Sequence, residues 1–221
     1  VNQPINESVD YKDKKNFITS IKPNSSRVEI YNVTSIIKTL KQDKRVIGVA
    51  PKISAQVFYN VGETDLTGVI NGIDPFVENK LFSFQEYVTT GNFMDVVNIP
   101  NSIILGKVAA EKMLAEIGDL IQVTTPKGER MQLKVVGYFQ SGLQDIDKVQ
   151  SYCSIATTQK LLGKTNNFIT DLQLKLTDMT AAPRITKEYQ KLFEIGAIDI
   201  QTANAQFDTG SSIRTLISYA V

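Results

Sequence analysis

Apolar residues recur at strand or helix spacing through most of the chain, and the clearest stretch runs from residue 103 to residue 123. Ile103 and the two residues after it form a short apolar run that predicts a buried strand, and Gly106 interrupts that run where a helix should begin. Gly118 is predicted to end the helix in the left-handed conformation, and a second strand follows from Leu120. The helix has an apolar stripe at i, i+3, i+4 and i+7, formed by Ala110, Met113, Leu114 and Ile117.

Two β-hairpins are predicted on either side of this helix. In the first, residues 46–59 fold back through a turn onto residues 66–73. In the second, residues 120–125 pair with residues 130–136, where apolar and polar side chains alternate so that one face is buried. The tip of the second hairpin consists of Pro126, Lys127, Gly128 and Glu129.

Further elements are predicted toward both ends of the chain. Residues 16–22 alternate as a strand, and Asn32 is placed to cap a helix whose apolar stripe faces a core. Residues 170–176 predict a strand, which is followed by a helix with Pro183 in its first turn, where proline is tolerated. Residues 198–201 predict a last strand before a terminal helix.

The segments between these elements are shorter and less regular. Residues 75–98 are rich in aromatic side chains and predict short helical turns that form a packed connector. Residues 141–150 predict a loop, residues 151–155 a short strand, and residues 156–162 a short helix closed by Gly163.

The order of these elements predicts an α+β fold in two parts. Each flank reads as strand, helix, strand, so the flanks can pair into one β-α-β-β-α-β layer, interrupted by an inserted small α/β unit. The layer is assigned to residues 1–81 and 164–221, and the insertion to residues 82–163.

Five segments in a fixed order carry a resemblance to a known family. They are VIGVAPKISAQVFY (46–59), GVINGIDP (68–75), an LG…A…GD pattern (105–119), VVGYFQSGLQDID (135–147) and SIATTQKLLG (154–163). Together they resemble the extracytoplasmic domain of the FtsX/MacB-like ABC transporter permeases, and most of all the lipoprotein-releasing permeases LolC and LolE. The resemblance covers the chain from about residue 32 to residue 193.

This resemblance implies a fold and a role. The fold is a porter-like layer with a second small α/β subdomain inserted in it, and the role is to pass ATP-driven movement of membrane helices to the periplasm without catalysis. The implied partners are the chain's own transmembrane helices, a second permease subunit in a homo- or heterodimer, a cytoplasmic ABC ATPase, and a lipoprotein cargo or its periplasmic carrier. Within the same class, MacB-like export and FtsX-like activation of cell-wall hydrolases remain alternatives.

The resemblance also implies a location in the bacterial inner membrane. The sequence contains no apolar run of about 18 residues and begins with no signal peptide. Within the family, this pattern corresponds to a segment between two membrane helices, with residues 213–221 resembling the start of the second. The two ends are then expected on one side of the domain, facing the membrane, and the hairpin tip on the far side.

Composition excludes several kinds of chemistry. The 221 residues include no histidine, which removes Ser/His/Asp and Cys/His nucleophile systems and His-ligated zinc. A net charge of +1 gives no reason to expect a nucleic-acid partner. The single cysteine, Cys153, lies in an apolar strand without a basic neighbour, so an inert core thiol is expected.

Two local patterns resemble functional motifs. Gly163, Lys164 and Thr165 imitate the end of a phosphate loop, but the first glycine of that motif is absent. Asp145 and Asp147 could be paired carboxylates, yet they lack the glycine and distal glutamate of a calcium loop. We therefore predict no catalytic, cofactor or metal site; a carboxylate-dependent enzyme using these residues or Asp74, and a free periplasmic binding module, are the competing classes.

The tip from Pro126 to Glu129 is the one candidate contact site, because exposed hairpin tips are places where partners dock. A plain turn is the alternative interpretation. In LolC the corresponding hairpin is much extended and recruits the periplasmic lipoprotein carrier. A tip as short as this one disfavours direct carrier recruitment and favours a LolE-like role or another member of the family.

Overall fold

The computed structural model of the protein describes residues 29–61 and 64–193. The helices are α1 (Val33–Gln42), α2 (Pro75–Phe82), α3 (Asp95–Asn98), α4 (Lys107–Met113), α5 (Gln144–Asp147), α6 (Ile155–Leu161) and α7 (Ala182–Phe193), with 3-10 turns at Phe84–Tyr87 and Met179–Ala181. The strands are β1 (Val46–Val61), β2 (Thr64–Ile73), β3 (Val88–Gly91), β4 (Ser102–Gly106), β5 (Leu120–Thr124), β6 (Arg130–Phe139), β7 (Gln150–Ser154) and β8 (Asp171–Leu176). The strands predicted at 16–22 and 198–201 and the terminal helix lie outside the described residues.

Both predicted hairpins are confirmed, and they belong to a ring of six strands. Hydrogen bonds connect the strands in the order β1-β2-β7-β4-β6-β5, and β5 pairs again with β1 to close the ring. The neighbours β2 and β7 are parallel, as are β4 and β6, whereas the other neighbouring pairs in the ring are antiparallel. Closure gives each of these six strands a hydrogen-bonded neighbour on both sides.

Alternation along the strands gives the ring two apolar faces. Ile103 and Leu105 belong to one core cluster, and Ile104 between them belongs to another, because successive strand residues point to opposite faces. The first cluster draws buried side chains from all six ring strands: Val57, Tyr59, Ile70, Ile103, Leu105, Ile121, Val123, Leu133, Val135 and Cys153. It is therefore the main core of the ring.

The second cluster confirms the predicted aromatic connector. Phe84 is fully buried, with its ring centroid 6.0 Å from that of Phe139 and 4.9 Å from that of Tyr152. Short helices account for most of the connector, as predicted, and it also contains strand β3, which was not predicted and pairs with β6. The connector thus packs against the outside of the ring.

A helical layer adjoins the ring through β1. The first half of β1 pairs with β8, from Val46 opposite Leu176 to Lys52 opposite Asp171, and its second half belongs to the ring. Helices α1 and α7 contribute Ile36, Leu40, Ile185 and Tyr189 to one cluster that covers this pair of strands. One long strand is therefore shared between the helical layer and the ring.

The strand pairing extends across the predicted boundaries at 81/82 and 163/164. Strand β1 pairs with β5 at residues 58–60, and β2 pairs with β7 from Val69 to Ile73. The division into two subdomains stays a prediction, and its two parts share hydrogen bonds at these places.

Two details of the helices differ from the predictions. Helix α4 ends at Met113 and not at Gly118: Leu114 adopts φ 51° and is 86% exposed. The Tyr138 hydroxyl donates to the Ala115 carbonyl (2.9 Å) and the Gly118 N–H donates to the Val135 carbonyl (2.8 Å). These bonds to β6 hold residues 114–118 as a loop, so Leu114 and Ile117 do not join the buried stripe.

The start of α1 also differs from the prediction. Asn32 has φ 54°, and its side chain makes no capping hydrogen bond. Only its carbonyl participates, accepting from the Ile36 N–H at 3.1 Å. Among the described residues, no helix has the length and apolar character that crossing a membrane requires.

Candidate functional site

The two candidate carboxylates after β6 lie in different environments. Asp147 is buried, and its Oδ1 accepts hydrogen bonds from the Ser141 N–H (2.6 Å) and the Ser141 hydroxyl (2.7 Å). Asp145, on the same short helix, is exposed. Asp147 therefore fixes the loop that begins at Ser141, and the structure does not bring the two carboxylates together in a cleft.

The other candidates serve local structure. Asp74 caps α2, since its Oδ1 accepts from the backbone N–H groups of Phe76 (3.0 Å) and Val77 (3.2 Å). Gly163 follows α6 with φ 61°, whereas a phosphate loop would place its glycines before a helix. Cys153 is fully buried, and burial raises the pKa of its thiol.

No group of three or more His, Cys, Asp or Glu residues within 29–61 and 64–193 has an arrangement that could hold a metal ion.

The tip of the β5–β6 hairpin is a fixed, exposed turn. The Thr125 N–H donates to the Glu129 carbonyl (2.8 Å), and the Gly128 N–H donates back to the Thr125 carbonyl (2.9 Å). Gly128 has φ 89°, which explains glycine at this position. The tip residues Pro126, Lys127, Gly128 and Glu129 are all exposed, so they present a charged, pre-formed surface to solvent.

A buried charged pair was not anticipated from the sequence. Lys52 on β1 is 5% exposed and Glu78 on α2 is 1% exposed. Burial raises the pKa of Glu78 to about 7, opposed by the charge of Lys52, and burial lowers the pKa of Lys52. Glu78 Oε2 and the Oε1 atom of Gln173 on β8 have no hydrogen-bond partner among the described residues. The pair lies where β1 passes from the helical layer into the ring.

The sequence contains one indication of this pair, which is the position of Lys52 in its strand. Lys52 lies on the same face of β1 as Gly48 and Ala50, because every second residue of a strand points to the same side, and Ala50 is buried. A lysine on the small-residue face of a strand is unusual, because a strand face that is covered normally carries apolar side chains.

A second charged network ties α7 to the turn before β1. The Arg45 guanidinium donates to Asp43 and to both carboxylate oxygens of Glu188 (2.8 and 2.9 Å). The Tyr189 hydroxyl donates to Asp43 (2.8 Å). The Arg45 hydrogen bonds hold the pKa of Asp43 well below its usual value, and burial together with Asp43 raises that of Tyr189 to about 12. The network connects α7 to the turn between α1 and β1.

Comparisons with known proteins agree with this architecture. The MacB-like periplasmic core domain matches residues 6–192. LolC, the lipoprotein-releasing system transmembrane protein, is 29% identical in Neisseria meningitidis serogroup B over 163 residues, and 28% identical in Xylella fastidiosa (strain 9a5c) over 155 residues. These matches cover 69% and 66% of this chain, but only 39% and 37% of the length of the relatives.

Two solved structures share the fold. The extracellular domain of the ABC-type transporter YknZ from Gram-positive bacteria matches with a TM-score of 0.53 and 16% identity, covering 80% of this chain and 84% of that one. The periplasmic region of MacB from Actinobacillus actinomycetemcomitans matches with the same TM-score and identity, covering 86% of each chain. This likeness supports the predicted porter-like α+β fold. The family is one of transporter permease domains and not of catalytic enzymes. The chain belongs to the family of MacB-like periplasmic core domains.

Proposed function

We propose that the chain is the non-catalytic extracytoplasmic domain of an ABC transporter permease that acts in the release of lipoproteins from the inner membrane. The observation that supports this most is the match of residues 6–192 to the MacB-like periplasmic core domain, together with relatives named for lipoprotein release. In such a permease, ATP hydrolysis moves membrane helices, and the domain converts that movement into a rigid-body movement outside the membrane.

Strand β1 offers a physical route for this conversion. Its first half is hydrogen-bonded to β8 in the helical layer, and its second half is hydrogen-bonded to β2 and β5 in the ring. The Arg45 network adds a connection between the start of β1 and α7. Because one continuous strand belongs to both parts, a displacement of the helical layer carries the ring with it.

The proposal includes partners and an orientation. A second permease subunit, identical or different, and a cytoplasmic ATPase complete the transporter. Residues 1–81 and 164–221 form the membrane-proximal part, with both ends on the membrane side. Residues 82–163 form the outer part, and the hairpin tip points away from the membrane toward a partner.

The hairpin tip bears on the role within the family. The relatives are named LolC, whereas a tip of only four exposed residues favours a LolE-like role or another member of the family. We therefore propose that the tip contacts a periplasmic partner without being the main carrier-binding element.

Depletion of the full-length protein in its native host tests the proposed role. Newly made lipoproteins are expected to accumulate in the inner membrane, measured by membrane fractionation, because their release would depend on this permease. Loss of export or defective cell separation, with lipoproteins normally sorted, would contradict lipoprotein release and favour the MacB-like or FtsX-like alternative instead.

A photo-cross-linking amino acid at position 127 of the full-length permease tests the tip. We expect it to capture a periplasmic protein, because Lys127 is exposed at the end of a fixed turn. The matched control is the same cross-linker at Lys148, which is exposed but follows the short helix α5. Equal capture at both positions, or none at 127, would show that the tip is a plain turn.

A further inference from the structure

The outer faces of α1 and α7 are strongly basic. Helix α7 carries its three cations at i, i+3 and i+7, and helix α1 carries two at i and i+3, all of them exposed. We call these residues the basic face: Lys38, Lys41, Arg184, Lys187 and Lys191. Both helices cover the same side of β1 and β8 through one apolar cluster, so their outer surfaces adjoin.

Few carboxylates compensate the charge of the basic face: Arg184 helps to lower the pKa of Asp178, just before α7, and that of Glu188, so these two groups lie near it. Glu188 is the one carboxylate in the two helices, and both of its oxygens accept from Arg45. Lys187 and Lys191 are separated by four residues, a spacing at which like charges destabilise a helix. The two helices together contain five cations and one carboxylate, a net charge of +4, whereas the whole chain has a net charge of +1.

We propose that the basic face binds the anionic lipid headgroups of the membrane to which the domain is tethered. This inference rests on the proposed function, which places a membrane beside the domain. Charge complementarity supports it, because clustered Lys and Arg on a helical surface are attracted to anionic bilayers. The cations are spread over two helices and do not converge on one point, which suits a broad surface of many like charges.

Two further observations favour a bilayer over an acidic protein. Leu192, next to Lys191, is 60% exposed, and an apolar side chain beside cations can enter the headgroup region. In addition, α1 and α7 are the first and last described helices, so the chain passes through them on the way to both of its ends. Contact with lipid would hold the helical layer flat against the membrane.

Vesicle flotation of the 221-residue chain tests the basic face. Binding is expected to vesicles with about 30 mol% phosphatidylglycerol, but not to pure phosphatidylcholine, and it should disappear in about 0.5 M salt. Each cation near an anionic surface strengthens binding roughly fivefold, so Arg184→Gln with Lys187→Gln and Lys191→Gln should weaken it by about a hundredfold. Lys38→Gln with Lys41→Gln is a second variant on the other helix and should weaken it by about 25-fold.

The matched control is the triple variant Lys112→Gln, Lys134→Gln and Lys148→Gln, which removes the same charge from exposed positions elsewhere. It should change binding by less than about twofold. Equal loss in both triple variants, or no binding of the native chain to anionic vesicles, would overturn the proposal, as would binding to polyglutamate but not to vesicles. If the domain does not bind anionic vesicles but the permease releases lipoproteins normally, the proposed lipid binding is wrong and the proposed function is not affected.

Discussion

Lys52→Met is expected to lower the free energy of unfolding by about 3–5 kcal/mol near pH 9 and by much less near pH 5. Lys52 is buried beside Glu78, and its positive charge lowers the pKa of that carboxyl, which burial raises to about 7. Without Lys52, an ionised Glu78 would be a buried charge with no compensation. Near pH 5 the carboxyl is protonated in the folded protein, so little is lost.

The pH dependence of the native chain follows from the same carboxyl. The pKa of Glu78 is about 7 in the folded protein and 4.5 in the unfolded chain. Between these two pH values the folded protein retains a proton that the unfolded chain releases. The stability from Glu78 is therefore fully present below pH 4.5 and is lost as the pH rises to about 7, a loss of about 3 kcal/mol. Because the chain has no histidine, no histidine titration overlaps with this loss of stability between about pH 5 and pH 7.

Urea unfolding of four variants between about pH 5 and pH 9 measures these effects. Glu78→Gln should abolish the fall in stability between about pH 5 and pH 7. Lys52→Met with Glu78→Leu should restore stability to near the native value or above, since a buried pair can be replaced by apolar groups at little cost. Lys134→Met, at an exposed position, is the control and should change stability by less than about 0.5 kcal/mol. A loss in Lys52→Met that is the same at both pH values would contradict this account of the pair.

Phe84→Ala is expected to lower the free energy of unfolding by about 3–5 kcal/mol. The Phe84 side chain is fully buried, and its ring packs against those of Phe139 and Tyr152. Truncation would remove this apolar area and leave a cavity between the connector and the ring. The effect is measured by urea or thermal unfolding.

Phe76→Ala is the matched control for this substitution. Phe76 lies on α2, eight residues before Phe84, but its side chain is 65% exposed. Its removal should change stability by less than about 0.5 kcal/mol. Comparable losses in the two variants would mean that Phe84 does not anchor the connector in solution.

Local patterns predicted those elements whose stability depends on residues nearby in the chain. The β5–β6 hairpin follows from alternation on both sides of a tip with Gly128, and the strand before Gly106 follows from an apolar run. Helix α7 accommodates Pro183 in its first turn, as predicted. Each of these signals can be recognised in the sequence because strand and helix periods repeat within a few residues. The order of five such segments also indicated the family, which the comparisons then established.

Other features depend on contacts between distant segments. Helix α4 ends at Met113 because β6 binds the loop after it, although the apolar stripe continues to Ile117. Gly106 was expected to serve a turn, but its φ of −58° is open to any residue. A Cβ atom there would lie 2.1 Å from the Asp147 carbonyl oxygen, so the position is reserved for glycine by lack of space.

The sequence by itself determined the hairpins, most of the helices, the α+β class and the family of this protein, because each is encoded in the period or order of neighbouring residues. Only the tertiary structure decided that β5 returns to β1 to close the ring, that Lys52 and Glu78 are buried together, and that the cations of α1 and α7 form one face. Strand closure, burial and surface charge depend on which distant segments meet, and the period of a local segment contains no information about its distant partner.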